Sequence, residues 1–372
     1  MNFLFCTPSV FVIGKEYELL INMRENGICS VQIGDEIYYE ENSGVLSSEK
    51  KYAKIRVPQK WLDEACAYRI IYRRCIRRKA YRSELAEEEY ADFDFKPIKK
   101  SDNINIYHIA DVHYNFEPAI KTAAFFGDEL DLLIINGDIG EVMGEDSFPV
   151  VSRFVGVISG GRIPVIFTRG NHDTRGMLAE RFTDYFPSNN KATYYEFEIG
   201  PISGVVLDCG EDKADDCIEY GGVNRFGLFR RREAQFLKRL PALNRKFNFA
   251  VCHALPSLNA SYAGGKFDID RDTYSEWIAE LSRIGIDFML CGHLHKTYVL
   301  EPNSEKSLLP HAYPIVVGSA LCRKADESID IWGAAITLSG KRMHIRFTDS
   351  DLTVQSSCEL DLQTGTILQD GI

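Results

Sequence analysis

The sequence predicts an α/β domain preceded by a small all-β unit, and three observations carry that expectation. Five short apolar runs, INIYHIA, DLLIIN, IPVIFTR, FNFAVC and IDFMLC, are rich in Ile, Val and Phe and bounded by Gly or polar residues, as buried strands are. Helical segments alternate with these runs after residue 104. Before that point the chain holds only short β runs broken by turns.

In chain order, SVFVIG, YELLINM, CSVQIGDEIYYE, YAKIRV and YRIIYRRCIRR suggest a β-sandwich over residues 1–98. The basic stretch Arg69–Arg82 alternates with Ile, Tyr and Cys, and the acidic run ELAEEEYADFDF follows it, so it reads as a half-solvated strand face or a domain contact rather than a nucleic-acid surface. Residues 96–103 (KPIKKSDN) read as a linker into a second domain, 104–372. There the expected helices are Pro118–Leu130, Ser147–Ser159, Met177–Phe186, Arg231–Leu240 and Arg271–Ile284. The tail from Ile315 to Leu362 returns to β runs and fits a second sheet of the same domain. Two insertions, Gly210–Arg230 and Ser257–Asp272, are long enough to be candidate specificity walls.

Each of the five strand-like runs ends in a polar motif: Asp111-Val112-His113, Gly137-Asp138, Gly170-Asn171-His172-Asp173, His253, and Gly292-His293-Leu294-His295. Taken singly, a Gly-Asp is an ordinary turn and a strand-end histidine an ordinary structural residue. Ligand sites in open α/β sheets, however, lie just beyond the carboxyl ends of the strands. Five strands delivering Asp, His and Asn to one rim make a site for two metal ions. Imidazole and carboxylate donors suit Mn, Fe or Zn better than thiolate-loving metals.

This series of motifs resembles the calcineurin-like metallophosphoesterase superfamily, whose signature is D-x-H, G-D, G-N-H-[DE], H and G-H-x-H in that order. The resemblance covers roughly Ile104 to Gly340 and implies a two-sheet sandwich flanked by helices. It implies that Asp111, His113 and His295 hold one metal, that Asn171, His253 and His293 hold the other, and that Asp138 bridges them. The two ions would be divalent or mixed-valence, and a bridging hydroxide would attack the phosphorus of a small or exposed phosphoester. His172 would then assist the leaving alcohol, and Asp173 would orient a histidine. The β-rich unit ahead of the catalytic domain resembles the domain order of purple acid phosphatases. Glu141, however, stands where those enzymes carry an iron-binding tyrosine. The segment TRGNHD is similar to the L-R-G-N-H-E of Ser/Thr protein phosphatases, which makes Arg169 a candidate phosphate clamp. Their D-R-G segment is replaced here by Ile139-Gly140-Glu141-Val142, so their protein substrates do not carry over. Two alternatives stand beside this reading: a phosphodiesterase of cyclic nucleotides or phospholipid headgroups, and a metal-containing binding protein without turnover.

Composition bounds the rest. The chain has 372 residues, 45% of them apolar, and no run of eighteen apolar residues that would span a membrane. Its amino terminus lacks the basic region and small-residue cleavage site of a signal peptide, and the ten cysteines show no paired spacing, so the expected compartment is the cytoplasm. Residues 1–100 carry 17 basic and 16 acidic side chains, whereas the whole chain is at −11. The catalytic part therefore carries the negative charge, which disfavours nucleic-acid polymers as substrates. Nothing in the sequence sets the oligomeric state.

Overall fold

The computed structural model describes residues 3–371 apart from 145 and 259. Two β-sheets pack face to face with helices on both outer surfaces. In the first sheet Ile104–Ile109, Leu132–Asn136 and Pro164–Thr168 run parallel. The late strand Ile329–Ser339 lies antiparallel beside Ile104–Ile109. The second sheet orders Tyr195–Ile199, Ile202–Leu207, Phe247–Cys252, Phe288–Cys291 and Ile315–Arg323. Ile315–Arg323 leaves that sheet to pair Ala320 with Trp332 of the first, so the sixteen strands hydrogen-bond into one folded-over network.

The alternation of side chains explains why these strands read as unbroken apolar runs: both faces are covered. Ile104, Ile106, Leu132, Ile134 and Ile166 face the core between the sheets, where they meet Val206, Phe249, Val251 and Leu290. Their neighbours Tyr107, Ile109, Leu133, Ile135, Val165 and Phe167 face outward under the helix Ser147–Ser159. On the other outer surface Val205, Leu207, Ala250 and Met289 pack under Phe226–Arg239 and Arg271–Ile284 through Leu237, Trp277 and Leu281.

The expected helices Ser147–Ser159 and Arg271–Ile284 form with those bounds. Three others differ. Pro118–Leu130 is a helix over Phe116–Ala123 and then a separate turn after Gly127, whose φ is +52°. Met177–Phe186 reduces to a turn and the short helix Phe182–Tyr185. The helix expected from Arg231 starts at Phe226 instead, because Asp215, eleven residues upstream, accepts the Phe226 N–H at 2.7 Å and the Gly227 N–H at 3.2 Å.

The amino-terminal region is β-rich, with one short helix at Gln59–Ala65, and its hydrogen bonding does not stop at the linker. Ser9–Ile13 pairs parallel with Pro164–Thr168, and Glu16–Asn22 and Tyr52–Pro58 extend the first sheet beyond it. Gly27–Ile33, Glu36–Tyr39, Ala67–Arg77 and Glu84–Asp94 form a separate antiparallel sheet, whose Val31, Ile70 and Tyr72 join the same inter-sheet core. Local alternation identifies a strand but not the sheet it joins. Within this smaller sheet the basic run sits opposite acids, with Arg69 2.6 Å from Asp92 and Arg73 in register with Glu88. A chain beginning at Ser101 is therefore expected to lose its soluble monomer on size-exclusion chromatography. It would expose the Pro164–Thr168 edge and the apolar surface that Val10, Val12, Leu19 and Ile55 cover.

Candidate metal centre

The parallel strands of both sheets end at one rim, and the motif residues follow directly in the loops. Holding their side chains inward strains the backbone. Asp111, His113, Asp138, His293 and His295 all have left-handed φ, between +46° and +71°. Such conformations cost a non-glycine residue on the order of 1–3 kcal/mol and collect at functional sites. The loops also approach very closely. A Cβ on Gly137 would lie 2.5 Å from the Gly170 nitrogen and 2.8 Å from His253 Nδ1, so glycine is required there.

Three groups of donor atoms result among the described residues, the third of which, His113, Asp138 and His172, draws on residues of the other two. In the first, Asp111, His113 and His295 lie within 4.8 Å of one another, with His113 Nε2 3.3 Å from His295 Nε2. In the second, Asp138, His253 and His293 do the same, with His253 Nε2 3.1 Å from Asp138 Oδ2. Asp138 Oδ2 is also 4.0 Å from His113 Nε2, which places this carboxylate between the groups. Neighbouring atoms fix the rings. His253 Nδ1 lies 2.6 Å from the Asn136 carbonyl, an acceptor, so Nδ1 carries the proton and Nε2 faces inward. Asp111 accepts the His293 N–H through both oxygens at 3.0 and 2.9 Å.

Asn171 tests whether cations fit. Its amide oxygen points at His293 Nδ1 from 3.0 Å. The same end of the amide lies 3.2 Å from Asp138 Oδ2 and 3.3 Å from His253 Nε2, while the other end faces Arg175 Nη2 at 3.1 Å. An amide turned nitrogen-inward would donate to those three groups and accept from Arg175. Turned oxygen-inward, it completes a ring of acceptors that a cation reconciles. Charge points the same way. Burial raises Asp111 to about 7. Burial opposes charge on Asp138 too, but the His253 imidazole beside it holds its carboxyl well below the usual range. His253 is buried yet pushed well above the usual imidazole value by Asp138 and then Asp111, whereas burial and His253 lower His293 to about 4. The buried carboxylates thus demand positive charge at their centre, and a divalent ion supplies it.

His172 borders this cluster. Its backbone N–H donates to Asp138 Oδ1 at 2.8 Å, and its ring packs edge-on against His113 at 4.8 Å. Glu141 sets carboxylate oxygens 3.1 Å from Nδ1 of both His113 and His172. Asp173 does not orient a histidine. Its Oδ2 accepts the N–H groups of Asp138 (3.1 Å) and Gly170 (2.8 Å), so it clamps two ligand loops together by their backbones. Burial, followed by the Asp138 charge, raises it to about 7.

Arg169 is turned away from the cluster. Its Nε lies 2.7 Å from the fully buried Asp208, and Phe182, Phe226 and Phe229 surround its guanidinium at 5.6–5.7 Å. The residue before a ligand motif need not share its direction, because adjacent side chains diverge. Arg169→Ala should therefore act on stability. Leaving Asp208 buried without its partner costs about 3–5 kcal/mol, which differential scanning calorimetry would record as a large fall in Tm, with kcat per folded molecule little changed.

The residues missed by sequence reasoning lie just past the third motif and on the two insertions. Arg175, four positions past Asn171, makes a two-point ion pair with Glu211, Nε–Oε1 2.7 Å and Nη2–Oε2 2.8 Å. Glu211 and Asp212 from one insertion and Leu258, Phe267 and Ile269 from the other line a small pocket against His293.

A carboxylate–imidazole cluster of this kind, at the carboxyl rim of a helix-flanked two-sheet sandwich, defines the class of metal-dependent hydrolases. The family model for calcineurin-like phosphoesterases matches residues 104–297, over half of the chain. The chain belongs to that family, and it is a hydrolase that acts on phosphoesters with divalent metal ions. Among solved structures, PhoD is similar over 100% of this chain and 93% of its own, with a TM-score of 0.60 and 9% identity. A purple acid phosphatase from yellow lupin (Lupinus luteus) seeds is similar over 95% and 74%, with a TM-score of 0.58 and 11% identity. These likenesses are of fold, and they include the amino-terminal β region. The curated proteins contain no match. Among the described residues no helix is long and apolar enough to cross a membrane.

Proposed function

We propose that this chain hydrolyses a small or exposed phosphoester at a two-metal centre, with His172 assisting departure of the alcohol. The observation that supports the reading is that Asp138, which belongs to the group of His253 and His293, also lies 4.0 Å from His113 of the other group, with the Asn171 oxygen beside His293. Asp111, His113, His295 and Asp138 would hold one ion, and Asp138, Asn171, His253 and His293 the other. Mn, Fe and Zn are the candidates for this donor set. Two such ions supply nucleophilic water at neutral pH and neutralise phosphoryl charge.

The protein's own groups do the rest. Asp173 and the left-handed ligand loops hold the donor atoms at fixed positions before substrate arrives. Asp138 fixes the backbone of His172, so that residue's ring stands over the cluster while the preceding Asn171 faces into it. With Nδ1 held by Glu141, Nε2 can pass a proton to a departing alkoxide once the bound substrate takes up the Arg175 N–H that now faces Nε2.

The test is elemental analysis of the purified full chain, followed by parallel assays on p-nitrophenyl phosphate and bis-p-nitrophenyl phosphate. About two ions per chain and turnover of at least one ester are expected. At most one ion after loading with Mn, Fe or Zn would remove the binuclear assignment. Two ions without turnover of either ester would make the chain a binding protein.

A further inference from the structure

Arg175 is built like a binding group. Its guanidinium is seized along one edge by Glu211, a fully buried carboxylate that also accepts the Thr174 hydroxyl at 3.2 Å. Glu211 takes two of the five N–H donors of the fork. The opposite edge faces the metal centre: Nη1 lies 3.2 Å from His172 Nε2, and Nη2 lies 3.1 Å from the outer end of the Asn171 amide. The acid next to it, Asp212, is 3.9 Å away and already engaged by Lys213 at 3.0 Å and Tyr220 at 2.9 Å. The guanidinium side chain remains 29% exposed, so a ligand reaches it.

We infer that Arg175 binds a nonbridging phosphoryl oxygen of the substrate, and that it gives the site a preference for phosphomonoesters over phosphodiesters. The inference rests on reading the cluster as a phosphoester hydrolase. Its selectivity follows from counting oxygens. A monoester phosphate carries three nonbridging oxygens and two negative charges. With two oxygens directed at the donor cluster, the third turns outward to Arg175. A diester has only two nonbridging oxygens, so the atom facing Arg175 is an esterified oxygen, a poor acceptor whose carbon chain crowds the guanidinium. The Glu211 clamp pre-sets the fork, so little rotamer freedom is lost on binding. Arginine also keeps its charge at every working pH.

The experiment uses the metal-loaded full chain, with p-nitrophenyl phosphate, bis-p-nitrophenyl phosphate and inorganic phosphate as probes. The wild type should show the higher kcat/KM on the monoester and be inhibited by phosphate. Arg175→Ala should raise both the monoester KM and the phosphate inhibition constant by roughly tenfold or more, as loss of a charged hydrogen bond does. Its diester kcat/KM should fall less than threefold, its metal content should stay intact, and added guanidinium should restore part of the monoester activity. Glu211→Gln should move the same two constants in the same direction by less. Should the alanine chain fail to fold or lose its metals, Arg175→Gln is read in its place. Equal losses on both esters, or an unchanged phosphate constant in a metal-replete variant, would overturn the inference. A wild type that prefers the diester would overturn it without any variant and leave the hydrolase reading standing. A wild type that turns over neither ester yet binds phosphate through Arg175 would do the reverse.

Discussion

Asp138→Asn is expected to empty both metal positions and to abolish turnover, a larger effect than loss of any single histidine. Asp138 is the one proposed ligand shared by both ions: its Oδ2 faces His113 on one side and His253 on the other, and an asparagine would put a neutral amide there. It also accepts the His172 N–H, so the substitution loosens the leaving-group histidine at the same time. Elemental analysis should fall from about two ions per chain to a substoichiometric trace. His253→Ala or His295→Ala should each retain part of one ion. An asparagine variant that keeps both ions would show that another group bridges them.

His172→Ala is expected to leave both ions bound and to lower kcat on an alkyl phosphoester by on the order of 10²–10⁴-fold, the usual worth of a placed proton donor. An alkoxide leaves poorly without a proton. A nitrophenolate leaves readily, so the loss should shrink on the aryl ester. Comparing the two esters separates acid catalysis from charge stabilisation, because a purely electrostatic role would give equal losses. Loss of a metal in this variant would make His172 a ligand, an outcome with a geometric basis, since it also lies within ligand distance of His113 and Asp138.

The parts legible in the sequence are those written locally. Metal chemistry restricts the residue types, and strand-to-loop geometry restricts the spacing. His293 and His295, two residues apart in one motif, therefore announce themselves, though they join different donor groups. The helices Ser147–Ser159 and Arg271–Ile284 carry their own apolar periodicity and end at Gly160 and Gly285. What stayed hidden depends on partners distant in the chain. Arg175 matters because of Glu211, thirty-six positions away, and Arg169 is taken from the site by Asp208, thirty-nine away. Glu141 gains its place between His113 and His172 only when three loops converge. The Phe226 helix start depends on Asp215 in the same manner.

The parallel pairing of Ser9–Ile13 with Pro164–Thr168 also bears on how the molecule is made. Ser9–Ile13 leaves the ribosome well before its partner, which follows 151 positions later, from Ile13 to Pro164. At about 5–20 residues per second that delay is roughly 8–30 s, far longer than a hairpin or helix takes to form. During it, Ser9–Ile13 can pair with Glu16–Asn22 alone, leaving its other edge and both apolar faces open. The neighbour of Ile104–Ile109 on its other side, Ile329–Ser339, arrives later still. The metal rim is thus assembled only after Ile329–Ser339 has emerged, when it and Ser9–Ile13 close around the three strands that lead into Asp111, Asp138 and Asn171.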